Sequence, residues 1–490
     1  MFSARSRVNF PMLLRVTGWL MMIEAAFMLL PFATCLIYGE RDYLAFLIAL
    51  LATGVTGVSM TTFIHPKRTD MAKREGFLLT ALIWVVFSFF GMIPFMLSET
   101  PMTISDAFFE AMSGFTTTGA TVLNTVEHLS HGLLLWRCLM QWIGGMGIIL
   151  FTLAVIPMLN HSGGMQMFNA EVTGITHDKI RPRISQTAKG LWLVYISLTI
   201  FLGALLCIGP MNIFDSVCHA FSTMSTGGFS TKDSSIGAWD SVYVKIVMTI
   251  FMFLGGVNFA LLFRASTGDI KSLWHNDTFK AYLKIIGVML VLFVTVIIIN
   301  RQAISVSAVT IDPLFQIIST MTSTGYTVTN FENWGMFIVT IVFLLMFFGG
   351  CAGSTSGGAK IDRLLYLSKN LRNELHRCIH PNAIMSVRIN GKVVAPELVN
   401  KVIAFLCLYV LLIMFGGILL TAFGIPLVDA FFSAFSCISN TGLGAGVTGY
   451  GSSYDIIPNV GKWVLSFLML VGRLELFTVL ILFTRSFWKK

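Results

Sequence analysis

The sequence predicts an all-α polytopic membrane protein: four span–pore-loop–span repeats in a pseudo-fourfold arrangement, plus an extra N-terminal helix pair. Three observations carry this. Of the 490 residues, 55% are hydrophobic and only 12% charged, whereas a soluble domain carries about 25% charged residues. The mean hydropathy is +0.79, and apolar runs of roughly 20 residues, enough to cross a bilayer core as helix, recur along the chain. Finally, four segments repeat one another in register.

The apolar runs predict spans over 12–37, 43–63, 77–97, 132–158, 187–209, 243–265, 280–299, 336–375 (broken), 398–423 and 458–487. Helix is the expected form, because isolated strands leave their backbone unsatisfied in lipid. The first span follows Arg5, Arg7 and Arg15 like a signal peptide, but its apolar stretch is too long and no small-x-small site follows. It is expected to remain a membrane helix. The organisation is then 1–70, the helix pair; 71–160, 161–270, 271–395 and 396–490, the four repeats.

The net charge of +9 is a topology signal and not a nucleic-acid signal. Twenty-six of the 33 Lys and Arg residues fall in 1–15, 64–76, 160–190, 264–284, 360–401 and 485–490. These segments share one side if the spans alternate, which places both termini in the cytoplasm by the positive-inside rule. The eight cysteines show no CxxC spacing and sit mostly in apolar runs, so disulfides and zinc are not expected.

The repeats begin at Asp106 (DAFFEAMSGFTTTGAT), Asp215 (DSVCHAFSTMSTGGFS), Asp312 (DPLFQIISTMTSTGYT) and Asp429 (DAFFSAFSCISNTGLG). Ser stands at +7 in each, a hydroxyl at +10, and Gly at +13: Gly119, Gly228, Gly325 and Gly442. Each repeat lies between two spans, so the predicted unit is span, half-helix, Thr/Ser/Gly stretch, span. Asp is expected to cap the half-helix and suits its positive end. About ten residues of helix are too few to cross, which makes the element re-entrant.

Such a unit suits a cation. Non-helical backbone at membrane depth is tolerated where it lines a watery cavity. Glycine supplies positive φ, so carbonyls can turn toward one axis, and small hydroxyls can tie the backbone down. Four such strands would give rings of carbonyl oxygens that replace an ion's hydration shell.

The second span of each unit carries Gly144-Gly145, Gly255-Gly256, Gly349-Gly350, or Gly472 before Arg473. Close helix packing and gating both account for the first two pairs. In the third unit, FFGGCAGSTSGGAK (347–360) carries five glycines where helix should continue. That span is expected to break around a mid-membrane loop, a candidate gate. Arg473 is the one clear cation read within a span, and such residues usually face the interior and mark function. Glu475 is an alternative, structural partner for it.

The repeats, with QWIGGMG (141–147), GGCAGSTSGGAK and GRLE (472–475), resemble the Trk/Ktr/HKT potassium-uptake superfamily over essentially the full chain. The extra helix pair is similar to the TrkH/TrkG branch of membrane subunits rather than the shorter KtrB branch. The resemblance implies K⁺ as the transported ion, with filter glycines Gly119, Gly228, Gly325 and Gly442. Thr117, Thr118, Thr226, Gly227, Ser323, Thr324, Asn440 and Thr441 would supply the K⁺-facing carbonyls. Glycine at all four filter positions favours K⁺ over Na⁺, since the related plant transporters that pass Na⁺ carry Ser at the first. The doubled Gly227-Gly228 is a local departure expected to loosen the second strand.

The gate would comprise Gly349, Gly350, Gly353, Ser354, Thr355, Ser356, Gly357, Gly358 and Arg473. The family also implies a homodimer in the bacterial inner membrane, in contact with lipid. A cytoplasmic nucleotide-binding TrkA-type subunit would regulate it. The basic 360–401 stretch is either a docking surface or a topology anchor, and its eight positive charges, more than orientation requires, favour docking. The chain itself has no nucleotide fingerprint, and no organic cofactor is expected.

Other classes fit less well. A symporter coupled to H⁺ or Na⁺ needs a titratable carboxylate on the path, and the half-helix Asp residues sit on the outer side; Glu24, a lone carboxylate in the helix pair, is weak evidence for any role. An enzyme needs clustered acid, base or metal ligands, whereas the nine histidines are dispersed. An organic-solute carrier built on inverted repeats does not match four same-sense units.

Overall fold

The computed structural model describes residues 8–66, 71, 73–145, 147, 184–300 and 305–489. The end of the expected span 132–158 and the basic segment 160–183 lie outside the described residues, as do Arg5, Arg7 and Arg301. Almost all of the described secondary structure is helical, and six helices are individually long and apolar enough to cross a membrane. The N-terminal pair, Phe10–Tyr38 and Tyr43–Phe63, packs side by side.

Burial follows the logic of a lipid-solvated protein. In the outer helices Lys189–Ile208 and Asp277–Ile299 only 22% of the apolar window is buried. Their exposed Ile200, Phe201, Val291 and Ile298 face outward, as lipid-facing residues should. The polar residues lie inside, along the four half-helices Ile104–Phe115, Ile213–Met224, Val306–Met321 and Leu427–Ile438. Three of these have 12 residues and the third 16. At about 1.5 Å per residue none spans a core of about 30 Å.

The half-helix starts correct one expectation. Asp does not cap them: Thr103 and Asn212 do, accepting from the backbone N–H of Asp106 and Asp215. Asp106, Asp215 and Asp429 sit in the first turn, where a carboxylate still meets the positive dipole end. In the third unit Ser305 caps an earlier start, leaving Asp312 inside the helix.

The second helices of units two and four also depart from expectation. The predicted continuous spans 243–265 and 458–487 are both bent. Val242–Gly255 turns by 106° into Phe259–Ser266, and Asn459–Arg473 by 116° into Leu476–Phe483. Local chemistry explains both breaks. Asn258 caps the new helix, accepting from Ala260 N and Leu261 N at 2.8 and 3.2 Å. Glu475, at φ 61, is a left-handed residue that reverses the chain. The third unit breaks as expected: Met336–Phe348, a loop over 349–360, then Ile361–Ile379.

A small hairpin pairs Arg388–Ile389 with Lys392–Val393. Asn390 and Gly391 at φ 51 and 75 are the residues a two-residue type I′ turn demands. Asp277 ties it to the helix it begins, accepting from Asn390 N and the Lys369 ammonium, each at 3.0 Å.

Candidate functional site

Every half-helix ends the same way. The residue at +11 (Thr117, Thr226, Ser323, Asn440) is left-handed, with φ between 53 and 55. The next N–H reaches back to the +7 carbonyl: Thr118 to Ser113 at 2.9 Å, Gly227 to Ser222 at 2.8, Thr324 to Ser319 at 2.8, Thr441 to Ser436 at 3.0. This six-residue closure is a Schellman motif. Glycine normally occupies its left-handed position; here two of the four are β-branched threonines, for which that conformation is a genuine strain.

Two residues on, the glycines Gly119, Gly228, Gly325 and Gly442 are again at positive φ, 72 to 83, with a negative-φ residue between. Alternating φ sign turns successive carbonyls toward the same side, which a regular strand cannot do.

The four turns form a closed ring. A Cβ built on Gly119 would land on the carbonyl oxygen of Gly227. Likewise one on Gly228 strikes that of Thr324, one on Gly325 that of Thr441, and one on Gly442 that of Thr118. Each glycine therefore abuts the +12 carbonyl of the next unit, in the order one, two, three, four, one. A vestibule of about 150 Å³ opens on one side of the ring and is lined by all four glycines.

Hydroxyls stitch three of the turns internally. Thr116 bonds Thr118, Thr322 bonds Thr324 and Ser439 bonds Thr441, at 2.7 to 2.8 Å. The second turn has no hydroxyl at Gly227, and Gln141 from unit one takes its place. Its Nε2 donates to Gly227 O at 2.8 Å, and its Oε1 accepts from Phe229 N at 3.1 Å and the Ser222 hydroxyl at 2.5 Å. The expected loosening is thus corrected: Gln141 fills the space a side chain at 227 would need.

Sequence reasoning also missed the pairing of three cations in the second helices, Arg137 and Lys462 buried and Lys245 half-buried. Arg137 donates to Glu110 at 2.8 Å, to Thr121 Oγ1 and to Ser230 O, and lies 4.1 Å over the Phe229 ring. Both partners of the pair are 0–1% exposed. Lys462 bonds Asp106 at 2.5 Å and Lys245 bonds Asp312 at 2.8 Å. The signal was available, since each repeat opens on Asp and a lone Lys lies early in the second spans of units two and four.

On the other side of the ring the 349–360 loop lies against the turns. Gly349, Gly353 and Gly358 take positive φ of 66, 77 and 73, and Gly350 N donates to Ser356 Oγ at 3.0 Å. Thr355 Oγ1 donates to Met224 O and Gly255 O, and receives the Thr226 hydroxyl, all at 3.2 Å. Gly357 N donates to Ser323 Oγ at 2.5 Å, and Gly358 N to Ser439 O at 2.9 Å. Arg473 closes the circuit, donating to Thr355 O and Gly144 O, both at 2.7 Å. Loop and arginine together reach all four units. Glu475 pairs with Arg363 at 2.5 Å.

The glycine pairs behave as packing residues. A Cβ on Gly144 would strike Phe115 O, one on Gly145 would approach Ser225 Cβ to 2.7 Å, and one on Gly256 would approach Thr322 Cγ2 to 2.8 Å. Packing is the reading this supports for them.

The four quasi-equivalent turns thus close one ring in which backbone carbonyls and glycines meet, with a vestibule on one side and the loop on the other. The sequence profile of the TrkH family, described as a cation transport protein, matches residues 43–490. The chain belongs to that family. It is 37% identical to the Trk system potassium uptake protein TrkH of Escherichia coli K12 over 489 residues, covering 99% of this chain and 100% of that protein. It is 33% identical to TrkG of the same strain over 476 residues, covering 96% and 97%. The crystal structure of the potassium transporter TrkH from Vibrio parahaemolyticus superposes with a TM-score of 0.89 at 32% identity, over 98% of this chain and 100% of that one. The family is one of transporters, not enzymes, and this member is a multi-pass membrane protein of the same fold.

Proposed function

We propose that this chain takes up K⁺ across the inner membrane of a bacterium through a filter made by the four-turn ring. Thr117, Thr118, Thr226, Gly227, Ser323, Thr324, Asn440 and Thr441 would present the coordinating carbonyls, and the four glycines would hold them in register. One observation carries the reading: four turns share two left-handed positions and interlock glycine against carbonyl around a closed ring. The related proteins named for potassium uptake support the choice of ion. Both termini would lie in the cytoplasm, and inward flow is favoured by roughly 2.3 kcal/mol per charge per 100 mV.

Loop 349–360 and Arg473 would form the gate, here shut. The loop's bonds run to the filter turns themselves, and a cation beneath a cation path opposes passage. A nucleotide-binding TrkA-type ring would open it from the basic 360–401 face, where Leu371, Leu375 and Ile379 are exposed at four-residue spacing. The chain would work as a homodimer.

Conduction is favoured over symport because the one unpartnered buried carboxyl among the described residues, Glu24, lies beside Gly91 and not on the ring. Gly119→Ser tests the filter, in a bacterium lacking its own K⁺ uptake. Its Cβ would collide with Gly227 O, so K⁺ uptake should fall and Na⁺ uptake rise relative to it. Unchanged selectivity would sink the filter assignment.

A further inference from the structure

Lys360, at the foot of the loop, has no ion-pair partner among the described residues, yet it is 3% exposed. Nearby carboxylates are committed elsewhere: Glu475 to Arg363, and Asp362 to Ala352 N at 2.5 Å and Thr278 Oγ1 at 2.7 Å. The ammonium is held instead by neutral oxygens of its own loop. It donates to Ser356 O, to Ser356 Oγ at 3.4 Å and to Ser354 Oγ at 3.5 Å. Those hydroxyls are themselves fixed: they bond each other at 2.7 Å, Ser354 donates to Cys351 O, and Ser356 accepts Gly350 N. Lys360 also stands at φ 72, a left-handed lysine capping the helix that follows. Strain of this kind persists where the surroundings over-determine it.

A buried cation surrounded by one carbonyl and two hydroxyls is coordinated as a monovalent ion is in an oxygen cage. An ammonium is about the size of a dehydrated K⁺ ion, and its three donors match three acceptors. The cage borders a small cavity of about 50 Å³ beneath the ring, shared with Arg363, Arg473 and Glu475.

The geometry points to a second monovalent-cation site formed by Ser354 Oγ, Ser356 Oγ and Ser356 O. The Lys360 side chain occupies it as a tethered cation and thereby latches the loop shut. This rests on the loop being the gate, and it adds to Arg473 a second latch of different kind. Arg473 ties the loop to units one and four, whereas Lys360 folds the loop onto itself.

The test is Rb⁺ flux into liposomes holding the full-length protein with no regulatory partner. Lys360→Ala should raise flux roughly tenfold or more, since several charge-assisted bonds are lost from the shut form only. Ethylammonium added to Lys360→Ala should refill the cage and bring the flux back down, while leaving Arg473→Ala open. Should Lys360→Ala not purify as a single species, Ser354→Ala/Ser356→Ala removes two cage oxygens and predicts the same rise. The proposal is overturned if flux stays at the wild-type level in these variants, or if ethylammonium blocks Arg473→Ala equally. Arg473→Ala separates the two readings: a rise there alone refutes the latch and keeps the gate, and no rise in either variant refutes the gate.

Discussion

The ring and the layer beneath it obey different rules. In the ring four units share one backbone: left-handed at +11, left-handed glycine at +13, a back-bond from +12 to +7. Beneath it, among the described residues, the units diverge. Units two and four bend sharply, after Gly255-Gly256 and after Arg473, unit three inserts a loop, and unit four alone brings Arg473 to that loop. The side chains at +11 join the two layers, because Thr226 and Ser323 bond the loop directly while Asn440 bonds Thr118 Oγ1 and Met469 O. Symmetry is kept where an ion would be touched by backbone. It is abandoned where side chains hold that backbone in place or, on the proposed reading, would obstruct an ion.

Even the ring's uniformity depends on unequal supports, and removing them should expose this. The largest effect is expected at Arg137, behind the first and second turns. Arg137→Met leaves Glu110 buried without its cation, a defect that costs about 3–5 kcal/mol. Thermal unfolding in detergent should show a pronounced drop, and Arg137→Met/Glu110→Gln should recover most of it. A double variant no better than the single would mean that the arginine acts through Ser230 and Phe229 instead of the pair. Gln141→Ala comes next. It strips Gly227 O and Phe229 N of their partner, about 1–3 kcal/mol for groups left unsatisfied. The damage should be local to turn two, so K⁺/Na⁺ discrimination in uptake assays should fall more than stability does. Discrimination equal to wild type would show that a solitary glycine turn keeps its shape unaided.

Much of this architecture was legible in the sequence. Length and apolarity reveal the spans, and the register of Asp, Ser, hydroxyl and Gly reveals the four turns, because both are properties of single stretches of chain. Five glycines in 349–358 likewise announce a break. What stayed hidden depends on a partner distant in sequence. Gln141 sits 86 residues from Gly227, and nothing near either position announces their bond. The bends after Gly255 and Arg473 were read as continuous because their apolar runs continue, while the turning residues Asn258 and Glu475 act through a cap and a left-handed φ. Nothing in the sequence near Lys245 or Lys462 marks its pairing, although Lys462 is buried and Lys245 half-buried against an aspartate of a neighbouring unit. The cap at Thr103 outcompetes Asp106 because its hydroxyl stands three residues earlier, where the helix begins.

The smallest expected effect separates shared backbone from unshared side chain most cleanly. Thr117 and Asn440 hold the same left-handed conformation, both at φ 53. Glycine at 117 would relieve about 1–2 kcal/mol of left-handed strain. Against this stand two buried carbons worth about 0.8 kcal/mol each and the entropy cost of glycine, about 0.5–1 kcal/mol. The relief offsets most of these losses, so Thr117→Gly should lower the unfolding midpoint only slightly. Asn440→Gly gains little, because asparagine tolerates the conformation, and it loses bonds to Thr118 and Met469 at 3.0 and 2.9 Å. It should be destabilised by about 1–3 kcal/mol. Equal losses in the two variants would mean that the side chain of Thr117 supports the ring as Asn440 does, and the contrast between a common backbone and private supports would then fail at unit one.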